Sequence, residues 1–376
     1  MTPRRRVILT GGGTGGHVYP ALAVAAAAAE DTLIGPAEFL FVGGRQGLEA
    51  EIVKKAGLPF EAVAAAAVRG RSPLVALGSL FRMLAGVGQA QAIFRRFRPD
   101  AVLATGGFVC VPVVLAARLS GVPSVVYLPD LRPGWAVRFL ARFATVVAVT
   151  FDDVTPHIPS QRVRVTGYPV RPDLARWSQS DARRALGLPE DQPVVLVLGG
   201  SRGARSINEA IASGLDRLSE VAYVVHVTGS QNFASVESWR AGLPAEQRER
   251  YRIYSYLDAE LASAMAAASL VVTRSGASVL GELPAIGAPA VLVPYPFAGA
   301  HQRMNAKFLS DRGAAVVVAD AAVQEGALVT QVLELLGDQF RLAAMADASR
   351  RWAQPDGASR LYRLLGELIA SSSKPR

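Results

Sequence analysis

Thr10-Gly11-Gly12-Gly13-Thr14-Gly15-Gly16-His17 follows the apolar run Val7-Ile8-Leu9 without a break. A short apolar run that empties into glycines and then into a helix-like segment is a strand, a tight loop and a helix start. Glycine lets the backbone turn sharply and approach a ligand closely. A helix start offers unpaired N–H groups and the positive end of a dipole, so the layout suits an anion such as phosphate. The same layout recurs twice: Thr105-Gly106-Gly107-Phe108 follows Ala101–Ala104, and Gly199-Gly200-Ser201-Arg202-Gly203-Ala204 follows Val194–Leu198, with Arg205-Ser206-Ile207-Asn208 opening the next helix. The sterics of a tight turn explain one such loop; three, spread over both halves of the chain, point to phosphate groups. No Gly-Lys-Ser/Thr follows any of them, which excludes a Walker loop. Val42-Gly43-Gly44-Arg45 stands where a dinucleotide fold carries its acidic ribose ligand, which argues against that fold as well.

Outward from these loops, short apolar runs alternate with helix-like segments. Candidate strands are Arg6–Thr10, Glu38–Val42, Ala101–Ala104, Ser124–Tyr127, Val146–Val149, Val194–Leu198, Tyr223–Val227, Leu270–Thr273, Ala290–Val293 and Ala315–Val318. They are rich in Val, Leu and Ile and do not alternate with polar residues, the pattern of parallel strands buried on both faces. The expected fold class is therefore α/β, with two doubly wound Rossmann-like domains. The boundary is placed at Val165-Thr166-Gly167-Tyr168-Pro169, giving domains of residues 1–167 and 168–350. The last helical segment, within residues 351–370, is expected to pack back on the first domain.

Composition bounds the function. At 51% hydrophobic and 19% charged residues the 376-residue chain has the makings of large cores, which excludes a disordered protein. Cys110 is the single cysteine, so neither an internal disulfide nor a cysteine metal site is expected; His17, His157, His226 and His301 are widely scattered. The apolar run after Arg4-Arg5-Arg6 is too short for a signal peptide or a membrane span, so a cytoplasmic chain is expected. The net charge of +9 is uneven: residues 1–167 carry 18 basic and 10 acidic residues, against 22 and 21 in the remainder. A basic half meets something anionic, or it reflects a genome that favours arginine.

The glycine segments carry a resemblance. Gly12-Gly13-Thr14-Gly15-Gly16-His17 with Pro20, Gly106-Gly107, Gly199-Gly200-Ser201 with Gly203-Ala204-Arg205-Ser206-Ile207-Asn208, Arg274-Ser275-Gly276-Ala277 with Glu282, and His301-Gln302 with Asn305-Ala306 resemble the MurG family over about residues 6–365. These transferases move N-acetylglucosamine from UDP-GlcNAc to undecaprenyl-pyrophosphoryl-muramyl-pentapeptide in peptidoglycan synthesis. The resemblance implies a GT-B fold with a cleft between its domains, an inverting reaction, a UDP-sugar donor and a pyrophosphate-linked lipid acceptor. It implies no cofactor, no obligatory metal and no nucleic acid. On the donor side it implies Ser201 and Gly203 at the diphosphate and Arg171 at the leaving group. Tyr256 and Leu257 would border the uracil, Glu282 the ribose and Gln302 the sugar, with Ser275, Gly276 and His301 nearby. On the acceptor side it implies Thr14, Gly15, Gly16, Gly106, Gly107 and Asp130. His17 is the candidate general base, since imidazole titrates near neutrality; a helix cap or a cation for phosphate is its other role.

The chain departs from the family in four places. Tyr127-Leu128-Pro129-Asp130 stands where the family has His-Glu-Gln-Asn, Phe108 replaces a Tyr, Tyr168 an Asn and Arg202 a Gln. The first replacement is on the acceptor side. A sister transferase with a different acceptor, an epimerase of the same architecture and a non-catalytic nucleotide-sugar-binding protein are the alternatives. Leu74, Leu77, Phe81 and Leu84 recur at helical spacing among Arg69, Arg71, Arg82, Arg95, Arg96 and Arg98. That stripe fits docking on an anionic membrane, peripheral on the inner face of the cell membrane, or a helix face turned to the core.

Overall fold

The structure is a computed structural model that describes residues 5–45, 47–66, 73–153, 158, 160–199, 204–258, 260–297 and 301–372; side chains of 73–77, Trp135 and Ser160 are outside that description. The chain divides into two units, Met1–Pro172 with Pro355–Arg376, and Asp173–Gln354.

The first unit is built on seven parallel strands: β1 (Arg5–Thr10), β2 (Ala37–Gly44), β3 (Phe60–Val63), β4 (Ala101–Ala104), β5 (Ser124–Leu128), β6 (Val146–Val149) and β7 (Val163–Val165), in the order β3-β2-β1-β4-β5-β6-β7. Six parallel strands form the second: β8 (Val194–Leu198), β9 (Tyr223–Val227), β10 (Tyr251–Tyr254), β11 (Leu270–Thr273), β12 (Ala290–Leu292) and β13 (Ala315–Val317), in the order β10-β9-β8-β11-β12-β13. Central strands are apolar on both faces because helices cover both: Val7, Ile8, Leu9, Val194, Val195, Leu196 and Val197 are all fully buried. Three strands escape the sequence reading, β3, β7 and β10, and each closes a sheet edge. Their sequences, FEAV, VRV and YRIY, carry charged residues that an edge strand can turn to water.

The terminal helix Gly357–Ser372 belongs to the first unit. Leu361, Tyr362, Leu364 and Leu365 enter the core of that sheet with Val7, Leu9 and Phe39. The Tyr362 hydroxyl donates to Gly35 O at 2.6 Å, and Arg363 Nε to Asp31 Oδ2 at 2.9 Å. Burial alone would raise the Asp31 carboxyl, but bonds from the Ile34 and Leu33 amides and from Arg363 outweigh it and hold it below its ordinary value.

The Pro73–Phe97 helix buries Ser79, Met83, Gly86, Ala90, Ile93 and Phe94, spaced by three and four residues. Phe81 and Leu84 are on its other side, 64% and 59% exposed. The core-facing reading of these two residues is therefore corrected. Arg69 and Arg71 lie outside the described residues.

Candidate functional site

The strand order of the first sheet reverses between β1 and β4, which pair side by side. Ligands of open α/β sheets bind beyond the carboxyl ends of the strands at such a point. The first two glycine loops leave from these two strands and are laced together. Thr105 N–H donates to Thr10 O at 2.9 Å, Gly12 N–H to Gly106 O at 3.1 Å, and the Thr105 hydroxyl to His17 O. Gly107, at φ 90°, presses so closely on Gly12 that a Cβ would strike the Gly12 carbonyl. Cys110 lies beneath, its thiol donating to Gly106 O at 3.0 Å; burial pushes it up to about 12, so it serves as a loop support and not as a nucleophile.

His17 is half-buried in the first turn of the Gly15–Glu30 helix. Its Nδ1 is 2.9 Å from Gly12 O. A carbonyl only accepts, so in the neutral ring Nδ1 carries the hydrogen and Nε2 the lone pair. Gly106 gives that edge of the ring its space: at φ 128°, a Cβ there would lie 2.8 Å from Nε2 and 2.5 Å from Cδ2. Thr14 is exposed at the helix N-cap, with Gly15 and Gly16 as the first two helical residues. Amides at these positions have no acceptor within the helix. No acidic residue stands in the first turn of this helix, of Cys110–Leu119 after the second loop, or of Arg205–Ser213 after the third. A carboxylate there would compete with a phosphate.

Arg171 belongs to the first unit, not to the donor half in which the sequence reading placed it. Its guanidinium stands 5.3 Å over the Tyr19 ring, one turn past the first loop. Of the altered segment, Tyr127 and Leu128 close β5 and are buried with Pro129; Asp130, just beyond, is half-buried. The Tyr127 hydroxyl lies 2.8 Å from Thr150 Oγ1 and donates to Gly167 O at 3.2 Å, and its ring meets Tyr168 edge-on at 6.4 Å. Two of the four departures are thus one buried aromatic pair. Phe108, after the second loop, is 43% exposed.

In the second unit the order reverses between β8 and β11. The third glycine loop leaves β8; of it, positions 200–203 lie outside the described residues, including Ser201, Arg202 and Gly203. The helix it opens, Arg205–Ser213, is held by two polar clusters. Arg274, after β11, bonds Asp320 Oδ1 at 2.5 Å and Ser206 Oγ at 2.9 Å, while the Ser206 hydroxyl donates to Asp320 at 2.7 Å. Asn208 Nδ2 donates to Thr228 O at 2.9 Å, and its Oδ1 is 2.9 Å from Nε2 of the buried His226, whose Nδ1 is 2.7 Å from the Tyr251 hydroxyl. Burial pushes His226 down to about 3, so it stays neutral.

Ser275 and Gln302 are brought together: the Ser275 hydroxyl donates to Gln302 O at 2.9 Å, and Asn305 Nδ2 to Ser275 O at 3.1 Å. Gln302 Oε1 accepts the Tyr295 amide at 2.8 Å. Gly276 caps the short turn Ala277–Leu280, Glu282 opens the helix Glu282–Ile286, and Glu282 and His301 are half-buried. Tyr256 and Leu257, beyond β10, line a cavity of about 180 Å³ with Leu186, Leu188, Tyr254 and Glu260. Sequence reasoning quoted Thr105 and Asn208 as loop and helix residues without these partners, and missed Asp320, His226 and Tyr251. A polar residue inside a buried strand was the available signal for His226. Among the described residues no group of three or more His, Cys, Asp or Glu could hold a metal ion.

Two Rossmann-like units, each a parallel sheet whose strand order reverses beside its central strand, are the architecture of a GT-B glycosyltransferase. Residues 7–149 match the glycosyltransferase family 28 N-terminal domain and residues 194–361 the glycosyltransferase family 28 C-terminal domain. The Acinetobacter baumannii MurG crystal structure superimposes with a TM-score of 0.74 at 29% identity, covering 96% of this chain and 99% of that one. A putative UDP-N-acetylglucosamine 2-epimerase from Listeria monocytogenes shares the fold alone, at 15% identity and a TM-score of 0.71 over 100% and 99% of the two chains. A transferase of Roseiflexus sp. (strain RS-1) is 43% identical, over 98% of this chain and 96% of its own, and one of Desulforudis audaxviator 41%, over 98% and 100%. The chain belongs to the family that both of these represent, the UDP-N-acetylglucosamine–N-acetylmuramyl-(pentapeptide) pyrophosphoryl-undecaprenol N-acetylglucosamine transferases.

Proposed function

We propose that this chain transfers N-acetylglucosamine from UDP-GlcNAc to undecaprenyl-pyrophosphoryl-muramyl-pentapeptide. The observation that carries the reading is membership of the family over 98% of the chain, together with the reversal of strand order in both sheets. The acceptor hydroxyl attacks the anomeric carbon of the donor sugar and passes its proton to Nε2 of His17. The bond from that carbon to the diphosphate oxygen breaks, and UDP leaves with the electron pair. In the second unit the open amides of the Arg205–Ser213 helix stabilise the departing diphosphate, so no metal is required. Glu282 binds the ribose hydroxyls, the Gln302 amide the sugar, and the cavity beside Tyr256 and Leu257 borders the base. Gly15 and Gly16 receive the acceptor's pyrophosphate, with Gly106 and Gly107 beside them. Leu80, Phe81 and Leu84, exposed near Arg82, dock this cytoplasmic enzyme on the anionic inner face of the membrane.

The test is incubation with radiolabelled UDP-GlcNAc and the lipid acceptor, with EDTA present in a parallel arm, and complementation of a strain depleted of its own transferase. Transfer to the lipid, EDTA-resistant, and restored growth are expected. Turnover only with another acceptor would replace this reading by the sister transferase, for which the altered Tyr127–Asp130 segment is the structural ground. Conversion of the sugar without transfer would make it an epimerase, and UDP binding without turnover a nucleotide-sugar-binding protein.

A further inference from the structure

The Thr228 carbonyl fixes the direction of every bond in the buried cluster around Asn208. It only accepts, so the Asn208 atom 2.9 Å away is the amide nitrogen and Oδ1 points the other way. His226 Nε2, 2.9 Å from Oδ1, must then carry its hydrogen, and Nδ1 accepts the Tyr251 hydroxyl at 2.7 Å. The result is a directed chain, Tyr251 to His226 to Asn208 to the backbone of Thr228, crossing from β10 through β9 to the helix. Asn208 and His226 are 1% and 0% exposed. The position of Asn208 in the helix gives the chain its purpose. Its backbone N–H donates to Ala204 O at 2.9 Å, the bond that closes the first turn. The amides of Arg205, Ser206 and Ile207 precede that bond and have no acceptor within the helix. Ser206, gripped by Arg274 and Asp320, is two residues earlier, and two residues turn a helix by about 200°. The two clusters therefore hold the helix from nearly opposite sides, and it cannot rotate about its axis without breaking one of them.

We propose that His226 is a positioning residue of the donor site, a neutral imidazole that orients the Asn208 amide and thereby aims the open first-turn amides of the Arg205–Ser213 helix at the donor diphosphate. This rests on the proposed role of the Arg205–Ser213 helix start at the donor diphosphate. An apolar side chain at 226 would leave Asn208 Oδ1 buried without a donor, and the amide would regain one only by turning away from Thr228.

The experiment is calorimetric titration with UDP and steady-state kinetics in UDP-GlcNAc for the wild type, His226→Phe, His226→Gln and Tyr251→Phe. His226→Phe is expected to raise the Kd for UDP and the KM for UDP-GlcNAc by about tenfold to a hundredfold, while kcat changes by less than about threefold. Tyr251→Phe deletes only the bond that feeds His226; it lowers the Tm but leaves the Kd within about twofold. His226→Gln, whose amide N–H can replace Nε2–H toward Asn208, recovers most of the affinity. If His226→Phe does not fold, His226→Leu in the Tyr251→Phe background removes the orphaned hydroxyl and reads the same loss. A folded variant with an apolar residue at 226 that binds UDP as Tyr251→Phe does, or that loses kcat at unchanged KM, overturns the proposal, as does a folded His226→Gln that binds no better than His226→Phe. A wild type that binds no UDP overturns the donor-site reading and the proposal with it, so the two failures are distinct.

Discussion

Gly106→Ala separates the placement of the His17 imidazole from the chemistry proposed for it. The added Cβ would lie 2.5 Å from Cδ2 and 2.8 Å from Nε2 of His17. Carbon atoms rest at about 3.5–4.0 Å, so the ring must retreat by about 1 Å. It cannot retreat and keep the 2.9 Å bond from Nδ1 to Gly12 O, which selects the tautomer with a free Nε2. A displacement of about 1 Å at a reacting group costs on the order of a hundredfold in rate. The φ of 128° adds backbone strain of about 1–3 kcal/mol, which appears as lowered stability. Gly121→Ala is the control for strain alone, because Gly121 has φ 69° and open space around its Cβ direction, at the end of a surface turn. Initial rates at saturating lipid acceptor and UDP-GlcNAc, UDP titration and thermal melts should show kcat down about a hundredfold in Gly106→Ala with UDP affinity unchanged. In Gly121→Ala only the Tm should fall. If folded Gly106→Ala turns over within threefold of the wild type, the imidazole is not placed by this contact and the role given to Nε2 fails.

Four further outcomes follow from the same geometry. His17→Ala should lower kcat by roughly 10²–10⁴ with UDP binding intact; near-normal turnover would leave His17 a purely structural role. Glu282→Ala should weaken UDP-GlcNAc binding by roughly tenfold to a hundredfold, the worth of a charged hydrogen bond; unchanged calorimetric affinity would remove it from the site. The Asp31 carboxyl titrates below its ordinary value, so its contribution is complete above the unfolded-state pKa and disappears as pH falls through the folded one. The wild-type Tm should therefore fall more steeply than that of Asp31→Asn as the pH is lowered below about 4, and parallel curves would refute the link. Phe81→Glu with Leu84→Glu should abolish sedimentation with phosphatidylserine vesicles at low salt, and wild-type binding by the double variant would exclude the exposed face as the membrane contact.

What the sequence disclosed depended on whether a residue's role is set by its neighbours in the chain or by distant ones. The central strands were legible because burial on both faces forces an unbroken apolar run, as in Val194–Leu198. The edge strands β3, β7 and β10 are not under that demand, and Arg164, Arg252 and Glu61 hid them. β13 is also an edge, but its Ala-Val-Val is apolar enough to be read. The glycine loops were legible for a local reason too: a strand that turns at once into a helix needs glycine there, whatever lies across from it. Their pairing was not, since Thr105 reaches Thr10 and His17 only after β4 has been placed beside β1.

The altered Tyr127–Asp130 segment shows the same division. In the sequence, Tyr127-Leu128-Pro129-Asp130 is a run of four replaced residues at the end of a strand, where ligands bind, and it invites the conclusion that the acceptor has changed. In the fold, the first of them points its ring at Tyr168, itself a replacement, and its hydroxyl at Thr150 and Gly167. Both departures therefore have one packing explanation. Leu128 and Pro129 are buried as well, which leaves Asp130, half-buried, as the one member of the segment with exposed surface. The case for a different acceptor is thereby narrowed from four residues to one, and Asp130→Asn becomes the decisive substitution. If Asp130 meets the muramyl acceptor, the amide, which removes a negative charge near a pyrophosphate, should lower the KM for that acceptor and leave the KM for UDP-GlcNAc unchanged. A raised acceptor KM would mean instead that the carboxylate itself binds that acceptor, and the repulsion argument would fail.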